Sequence, residues 1–331
     1  MGLVPSFLIL LLSRAKAKTN AGFQLLNTRL KTTAYADDIS VVGSTPSGPQ
    51  ATINGVKRTA TILGLRLNAN KCSSLTISNG RANSTGNLTI SGVQIRALEE
   101  GEYEKYLGVP MGTKLTFRPA TDLREKLIKV ADSLLAPWQK LEVFRAHLLP
   151  SLSHHLATGR VQRGFLYELD TRCTEFLRQV AHVPHTAHTT FQFADRRAGG
   201  LNAAQLKKDA DVWTIARAVQ LLHSNDQVVR HTARAQLEKT VSKGVTQPSN
   251  SPLPFSDFLS GSTEGGLYDT RFYGCCPNTW TRMRKAARRL HARINVSSDS
   301  SPSKVIADDI SCLSAKAARG AADGDQAPLD Y

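Results

Sequence analysis

The sequence predicts an α+β layer, then an all-helical region, then a loose tail, and three observations carry this. Across residues 28–109 short β-like runs alternate with one helix. Across 120–240 apolar residues recur at steps of three and four with few breakers. From residue 241 onward Ser, Pro and Gly thicken, and 296–331 has the composition of a poorly ordered tail. Hairpin, helix and strands in that order describe a sheet layer backed by a helix, and the periodic stretch describes a bundle. A chain of 331 residues holds two or three domains. The composition shifts divide it into a partial α+β region (1–115), two helical regions (116–185 and 186–240) and a terminal region with one basic helix (241–331).

The elements follow in order. Residues 31–35 and 39–42 read as extended arms around Ala36-Asp37-Asp38, a hairpin. Pro46-Ser47-Gly48-Pro49 opens a helix whose Ile53, Val56, Ala60 and Leu63 form one apolar stripe, and Gly64 stands where a C-terminal glycine belongs. Residues 65–68, 74–77 and 88–95 read as further strands. Leu123, Leu127, Val130 and Leu134 repeat at helical spacing; Trp138, Leu141, Phe144 and Leu148 continue the pattern past Pro137, and 201–222 forms a later helix. Residues 281–294 read as a basic amphipathic helix, with Arg282, Lys285, Arg289 and Arg293 on one face and Met283, Ala286, Leu290 and Ile294 on another. That basic face suits contact with a nucleic-acid backbone, and it equally suits plain solvation.

Lys and Arg number 42 against 27 acids, a net charge of +15, so polyanions are the expected partners and nucleic acid the commonest of them. A generic basic protein would share this balance, and aromatics at 6% are few for a chain that stacks many bases. The five cysteines (Cys72, Cys173, Cys275, Cys276, Cys312) are scattered and odd in number, which implies a reducing compartment and no disulfide framework. The apolar run at residues 7–12 precedes its basic residues, unlike a secretory leader, and is too short to span a bilayer; it reads as a buried helix, with no membrane partner expected.

Asp37-Asp38 at a hairpin tip would bring two carboxylates together on rigid arms, an arrangement suited to hard cations such as Mg²⁺. An ordinary Asp-rich β-turn fits the same dipeptide, and both readings stay open on the residues alone. The order of further signals decides between them. Tyr35-Ala36-Asp37-Asp38, an amphipathic helix, Gly64-Leu65-Arg66-Leu67-Asn68-Ala69-Asn70-Lys71-Cys72 and Tyr106-Leu107-Gly108-Val109-Pro110 together resemble the polymerase palm of non-LTR retrotransposon reverse transcriptases. The stretch from Trp138-Gln139-Lys140 to Leu148-Leu149-Pro150 is similar to their thumb, and Arg197-Ala198-Gly199-Gly200-Leu201 to the Gly-Gly-Leu element beyond it in site-specific elements. The resemblance covers residues 28–222.

It implies the C-terminal half of a palm, an all-α thumb and linker and a disordered tail. It also implies RNA-directed DNA synthesis by two-metal nucleotidyl transfer, and a nuclear location. Asp37 and Asp38 would be Mg²⁺ ligands and Lys71 a general acid at the pyrophosphate. Tyr35, Tyr106, Leu107 and Gly108 would lie against the primer, with an RNA template, a DNA primer and deoxynucleoside triphosphates as partners. Without the resemblance, Lys71 is a solvated turn lysine, Tyr106-Leu107-Gly108 a strand end and Tyr35 a core aromatic. The family palm carries another essential aspartate upstream, whereas residues 1–36 contain neither Asp nor Glu. The sequence therefore reads as a truncated copy, lacking fingers and third carboxylate, and the chain alone is expected to be inactive; the rival reading is a non-catalytic nucleic-acid-binding remnant.

His182, His185 and His188 are split by Pro184 and read as loop histidines in preference to a zinc set. Cys275-Cys276 with His291 and Cys312 lacks knuckle spacing, and Asp308-Asp309 by itself makes no nuclease site.

Overall fold

A computed structural model describes residues 22–26, 28–36, 38–83, 86–113, 123–158, 161–244, 255–261, 278–295 and 304–307. Asp37, the apolar run at 7–12, Cys275, Cys276, Cys312 and Asp308-Asp309 lie outside the described residues. The chain divides into two compact units, Met1–Thr116 and Phe117–Tyr331.

In the first unit, β1 (Phe23–Leu25) pairs with β2 (Thr28–Leu30), and β3 (Thr32–Tyr35) pairs antiparallel with β4 (Asp38–Val41). The register runs from Thr32 opposite Val41 to Tyr35 opposite Asp38, so Asp38 belongs to the ladder and not to the turn. Ile39 of β4 packs against Val56 and Ala60 of α1 (Ser47–Ile62), joined by Leu63 and Leu67. The helix buries Thr52, Val56 and Ala60, each four residues apart, which places Ile53 at the margin of the stripe. Gly64, at φ +72°, closes α1 as predicted: Leu65 N–H donates to Ala60 O and Gly64 N–H to Thr61 O, the two bonds of a Schellman motif.

Residues 65–68, expected as a strand, pair with nothing as β structure. Asn68 instead turns the chain into a 3₁₀ segment, Ala69–Lys71, by accepting from Asn70 N–H through its side chain at 3.0 Å. The other expected strands also break up. β5 (Ser73–Ser74) runs parallel to β10 (Arg96–Ala97), whereas β6 (Ile77–Ser78) with β7 (Arg81–Ala82), β8 (Thr89–Ile90) with β9 (Val93–Gln94) and β11 (Tyr103–Tyr106) with β12 (Val109–Gly112) are tight hairpins. Their two-residue turns are Asn79-Gly80, Ser91-Gly92 and Leu107-Gly108, with both residues at positive φ, the twist that reverses antiparallel strands soonest. Among the described residues the strands therefore pair two by two, and no continuous sheet forms. The Gln50 amide ties α1 to β8 in both directions, donating to Thr89 O and accepting from Thr89 N–H, each at 2.9 Å.

The second unit is helical around two cores. α2 (Leu123–Ala131), α3 (Pro137–Val143), α4 (Pro150–Thr158) and α5 (Arg163–Val180) enclose the first, with Phe144 and Phe176 stacked at 5.3 Å. Phe144–Leu148 forms a π-helical turn between α3 and α4. Pro150 has no N–H to donate and its ring crowds the carbonyl four residues back, and the wider turn accommodates both. It also rephases the helix, so that Phe144, Leu148, Leu149 and Leu152 all point inward. Leu134 and Trp138, counted in the apolar stripe, are exposed, Trp138 at 69%.

α7 (Leu206–Leu222) follows α6 (Thr190–Phe193) and links the cores: Leu206 lies in the first, Ile215, Val219 and Leu222 in the second. Asp170 of α5 caps α7 from a distance, accepting from Leu206 N–H at 2.7 Å and Lys207 N–H at 3.3 Å. α8 (Gln227–Gly244), α9 (Phe255–Leu259) and α10 (Thr279–Arg289) complete the second core. Asn278 and Thr281 form a capping box that starts α10. The basic helix is thus shorter than 281–294 and sits in a core through Trp280, Met283, Ala286 and Ala287, all fully buried. Arg293 and Ile294 belong to β13 (Ala292–Asn295), which pairs with β14 (Lys304–Ala307). Residues 304–307, expected as loose tail, are a strand: Val305-Ile306 is a β-branched pair that low-complexity surroundings conceal. Among the described residues no helix is long and apolar enough to cross a membrane.

Candidate active site

The site is built from two hairpin tips of the first unit. In β3–β4, Ala36 takes φ +50°, the left-handed conformation that a two-residue hairpin turn demands. Tyr35 stands 68% exposed rather than in a core, directly opposite the exposed Asp38. In β11–β12, Leu107 at φ +51° and Gly108 at φ +76° form the turn, and the Leu107 side chain projects into solvent. Thr33 Oγ1 and Tyr106 Oη, 73 residues apart in sequence, lie 3.4 Å from each other, so a hydrogen bond joins the two hairpins. Thr33 was not singled out from sequence, because a threonine on a short strand carries no signal of its partner.

Lys71 ends the 3₁₀ segment with its side chain exposed. Its neighbour Cys72 is structural: the thiol donates to Asn68 O at 3.2 Å, and partial burial pushes its pKa up, away from thiolate chemistry. Among the described residues no group of three or more His, Cys, Asp or Glu stands close enough to hold a metal ion. The oxygen chemistry of Asp38 fits a hard cation such as Mg²⁺ in kind, and its exposure at a strand end leaves it accessible. His182, His185 and His188 fall in the turns after α5, with His182 at φ +52°.

Of the four basic residues expected on one helical face, Arg282, Lys285 and Arg289 share one side of α10, and Arg293 falls outside the helix. Arg289, still exposed, binds the buried Asp211 of α7 through Nε at 2.8 Å and through Nη2; Arg163 of α5 binds the same carboxylate at 2.9 Å. Arg282, Lys285, Arg289 and Arg163 line one cleft with Asp211, whereas Arg293 is on β13. Neither Arg163 nor Asp211 was legible as a site residue, since they join α10 only through the tertiary fold.

Comparison with known proteins places the sequence, with its mixed helices and short strands, among reverse-transcriptase-like relatives. The chain is homologous to the Pol polyproteins of LINE-like, non-LTR retrotransposons. It is 28% identical over 269 residues to the retrovirus-related Pol polyprotein of the type-2 retrotransposable element R2DM of Drosophila melanogaster, a match covering 75% of this chain and 25% of that protein. It is 31% identical over 170 residues to the Pol polyprotein of a type-1 R2 element of Popillia japonica, covering 49% of this chain and 28% of that one. It is also 28% identical over 167 residues, 45% of this chain and 18% of the relative, to the RNA-directed DNA polymerase of the mobile element jockey of Drosophila melanogaster. The chain spans about a quarter of the length of the R2 relatives it matches. No family model matches it.

Proposed function

We propose that this chain carries the C-terminal half of a reverse-transcriptase palm (residues 1–115), a thumb (116–185) and a linker (186–240), and that it serves RNA-directed DNA synthesis in the nucleus. The observation that supports this best is the hydrogen bond between Thr33 and Tyr106, which couples the Tyr35–Asp38 hairpin to the Leu107-Gly108 hairpin. Asp37 and Asp38 would hold the Mg²⁺ ions. Bound Mg²⁺ supplies Lewis-acid activation of a primer 3′-hydroxyl and charge compensation at the leaving pyrophosphate. The chain's own residues orient the strand ends around it. The exposed Tyr35 ring offers a face for the primer-terminal nucleotide, and at Gly108 the absence of a Cβ lets backbone approach the primer. Lys71 would donate a proton to pyrophosphate.

Residues 1–36 contain no Asp or Glu, so Asp37 and Asp38 are the carboxylates that residues 1–38 bring to the site. On its own the chain is expected to extend no primer. Fusion to the upstream part of the Drosophila R2DM relative is expected to restore extension of a DNA primer on RNA, and Asp38→Asn in the fusion to lower the rate at least about 100-fold. A fusion that binds RNA yet extends nothing would establish the second reading, a non-catalytic nucleic-acid-binding protein.

A further inference from the structure

The β3–β4 hairpin has two unlike faces. Successive residues of a strand point to opposite sides, and residues paired across an antiparallel ladder share a side. Ala34 and Ile39 are paired, and they face α1, against which Ile39 packs. Thr33 and Tyr35 on β3, with Ser40 and Asp38 opposite them on β4, face the other way, and Thr33, Tyr35 and Asp38 are exposed. Tyr106 reaches this open face. Its Oη lies 3.4 Å from Thr33 Oγ1, in the row next to Tyr35 and Asp38 on that side. Tyr106 is the least exposed residue of β11 and holds the last ladder position before the Leu107-Gly108 turn. Each of these hairpins pairs with no further strand among the described residues, and a two-stranded hairpin by itself is marginally stable. A hydroxyl pair that links the two therefore bears on the placement of both.

We propose that Tyr106 and Thr33 are positioning residues, whose hydroxyl pair holds the Leu107-Gly108 turn beside the face that carries Asp38 and so sets the slot in which a primer terminus lies. Tyr106 then acts through Thr33 and not by its own contact with the primer: its hydroxyl is engaged on the neighbouring hairpin, while the exposed Tyr35 ring and the Gly108 backbone are left for the strand end. The misplacement of a strand end by an ångström costs far more than the bond that prevents it, which gives a weak, exposed hydrogen bond its effect. The primer as occupant rests on the polymerase reading above; the tie itself rests on the Thr33–Tyr106 contact and the two ladder registers.

The tie is tested by hydrogen exchange, read by mass spectrometry on the full 331-residue chain. Tyr106→Phe keeps the ring and Thr33→Val keeps the shape, and each removes one hydroxyl. Each is expected to speed exchange in both β3–β4 and β11–β12 by about threefold to fivefold, the effect of one exposed hydrogen bond. The double variant is expected to exchange no faster than either single one, and Thr33→Ser, which keeps a hydroxyl, to behave as the native chain. Acceleration confined to the hairpin that carries the substitution, or additive effects in the double variant, overturns the tie. The consequence for the primer is read in the fusion to the upstream part of the R2DM relative. There Tyr106→Phe and Thr33→Val are each expected to raise KM for the primer–template by about threefold to fivefold, and Thr33→Ser to leave it at the native value. A rise with Tyr106→Phe and none with Thr33→Val makes Tyr106 a direct primer contact and overturns the positioning role. A fusion that extends nothing overturns the polymerase reading and with it the slot, while the exchange result decides the tie independently.

Discussion

Two non-glycine residues carry the hairpin tips in the left-handed region, Ala36 at φ +50° and Leu107 at φ +51°. For an L-residue this conformation costs about 1–2 kcal/mol, because the Cβ approaches the neighbouring carbonyl oxygen. The strain at Ala36 lies beside Asp38, and the strain at Leu107 sets an apolar side chain in water at the end of β11. Ala36→Gly is therefore expected to stabilise the β3–β4 hairpin by about 1 kcal/mol, read as slower amide exchange along its ladder. Ala36→Val is expected to do the reverse, since a β-branched side chain tolerates positive φ least. The hairpin itself was legible from alternation around Tyr35-Ala36-Asp37-Asp38. Its strain was not, because alanine rarely signals a left-handed turn.

Among the elements, the loop that leads into α7 shows how a motif known by resemblance acquires a physical role. Gly199 takes φ +78° and Gly200 folds its backbone onto Asp195 O, after which Leu201, Asn202 and Ala203 pair with Phe191, Ala194 and Gln192. Arg145 of the π-helical turn donates to Leu201 O and locks the loop to the first core. A Cβ on Gly200 would sit 2.1 Å from Ala194 O, backbone that cannot yield without breaking this pairing. Gly200→Ala is expected to destabilise the second unit by about 2–3 kcal/mol, measured as a lowered melting temperature. α10 teaches the complementary lesson. Its apolar residues were readable from spacing, but Arg284, left out of both faces, is buried with Nη1 donating to Phe258 O at 2.6 Å and its guanidinium 5.0 Å from the Phe258 ring. Helical periodicity sorts residues by face and says nothing of which element covers that face.

For the molecule as a whole, the most consequential titration belongs to a carboxyl on α7. Burial raises the Asp209 carboxyl to about 7, and the nearby Asp170, itself raised by burial, adds to the effect. In the unfolded chain an aspartate titrates near pH 4, so between about pH 4 and 7 the folded state holds a proton that the unfolded state has released. Stability then falls as pH rises through that window and levels off above it. Asp209→Asn, which keeps the shape and removes the titration, is expected to flatten the dependence. The variant should match the native chain near pH 4 and exceed it by about 2–4 kcal/mol at pH 8, measured by thermal unfolding across the range.

Local signals in this chain were sufficient for the α1 stripe and its Gly64 cap, for the hairpin around Asp38, for the helical character of 120–240 and for kinship with non-LTR retrotransposon proteins. Each of these depends on residues near one another in sequence, or on motifs in a set order. Strand pairing did not follow in the same way, because left-handed turns at Asn79-Gly80, Ser91-Gly92 and Leu107-Gly108 shorten the strands before they can join. Nor did the fate of the basic residues: Arg163, Asp211 and Arg289 are 48 and 78 residues apart, and only the packing of α5, α7 and α10 closes that distance. A buried carboxylate needs its charge met wherever the fold brings a cation within reach, and that choice belongs to the tertiary structure.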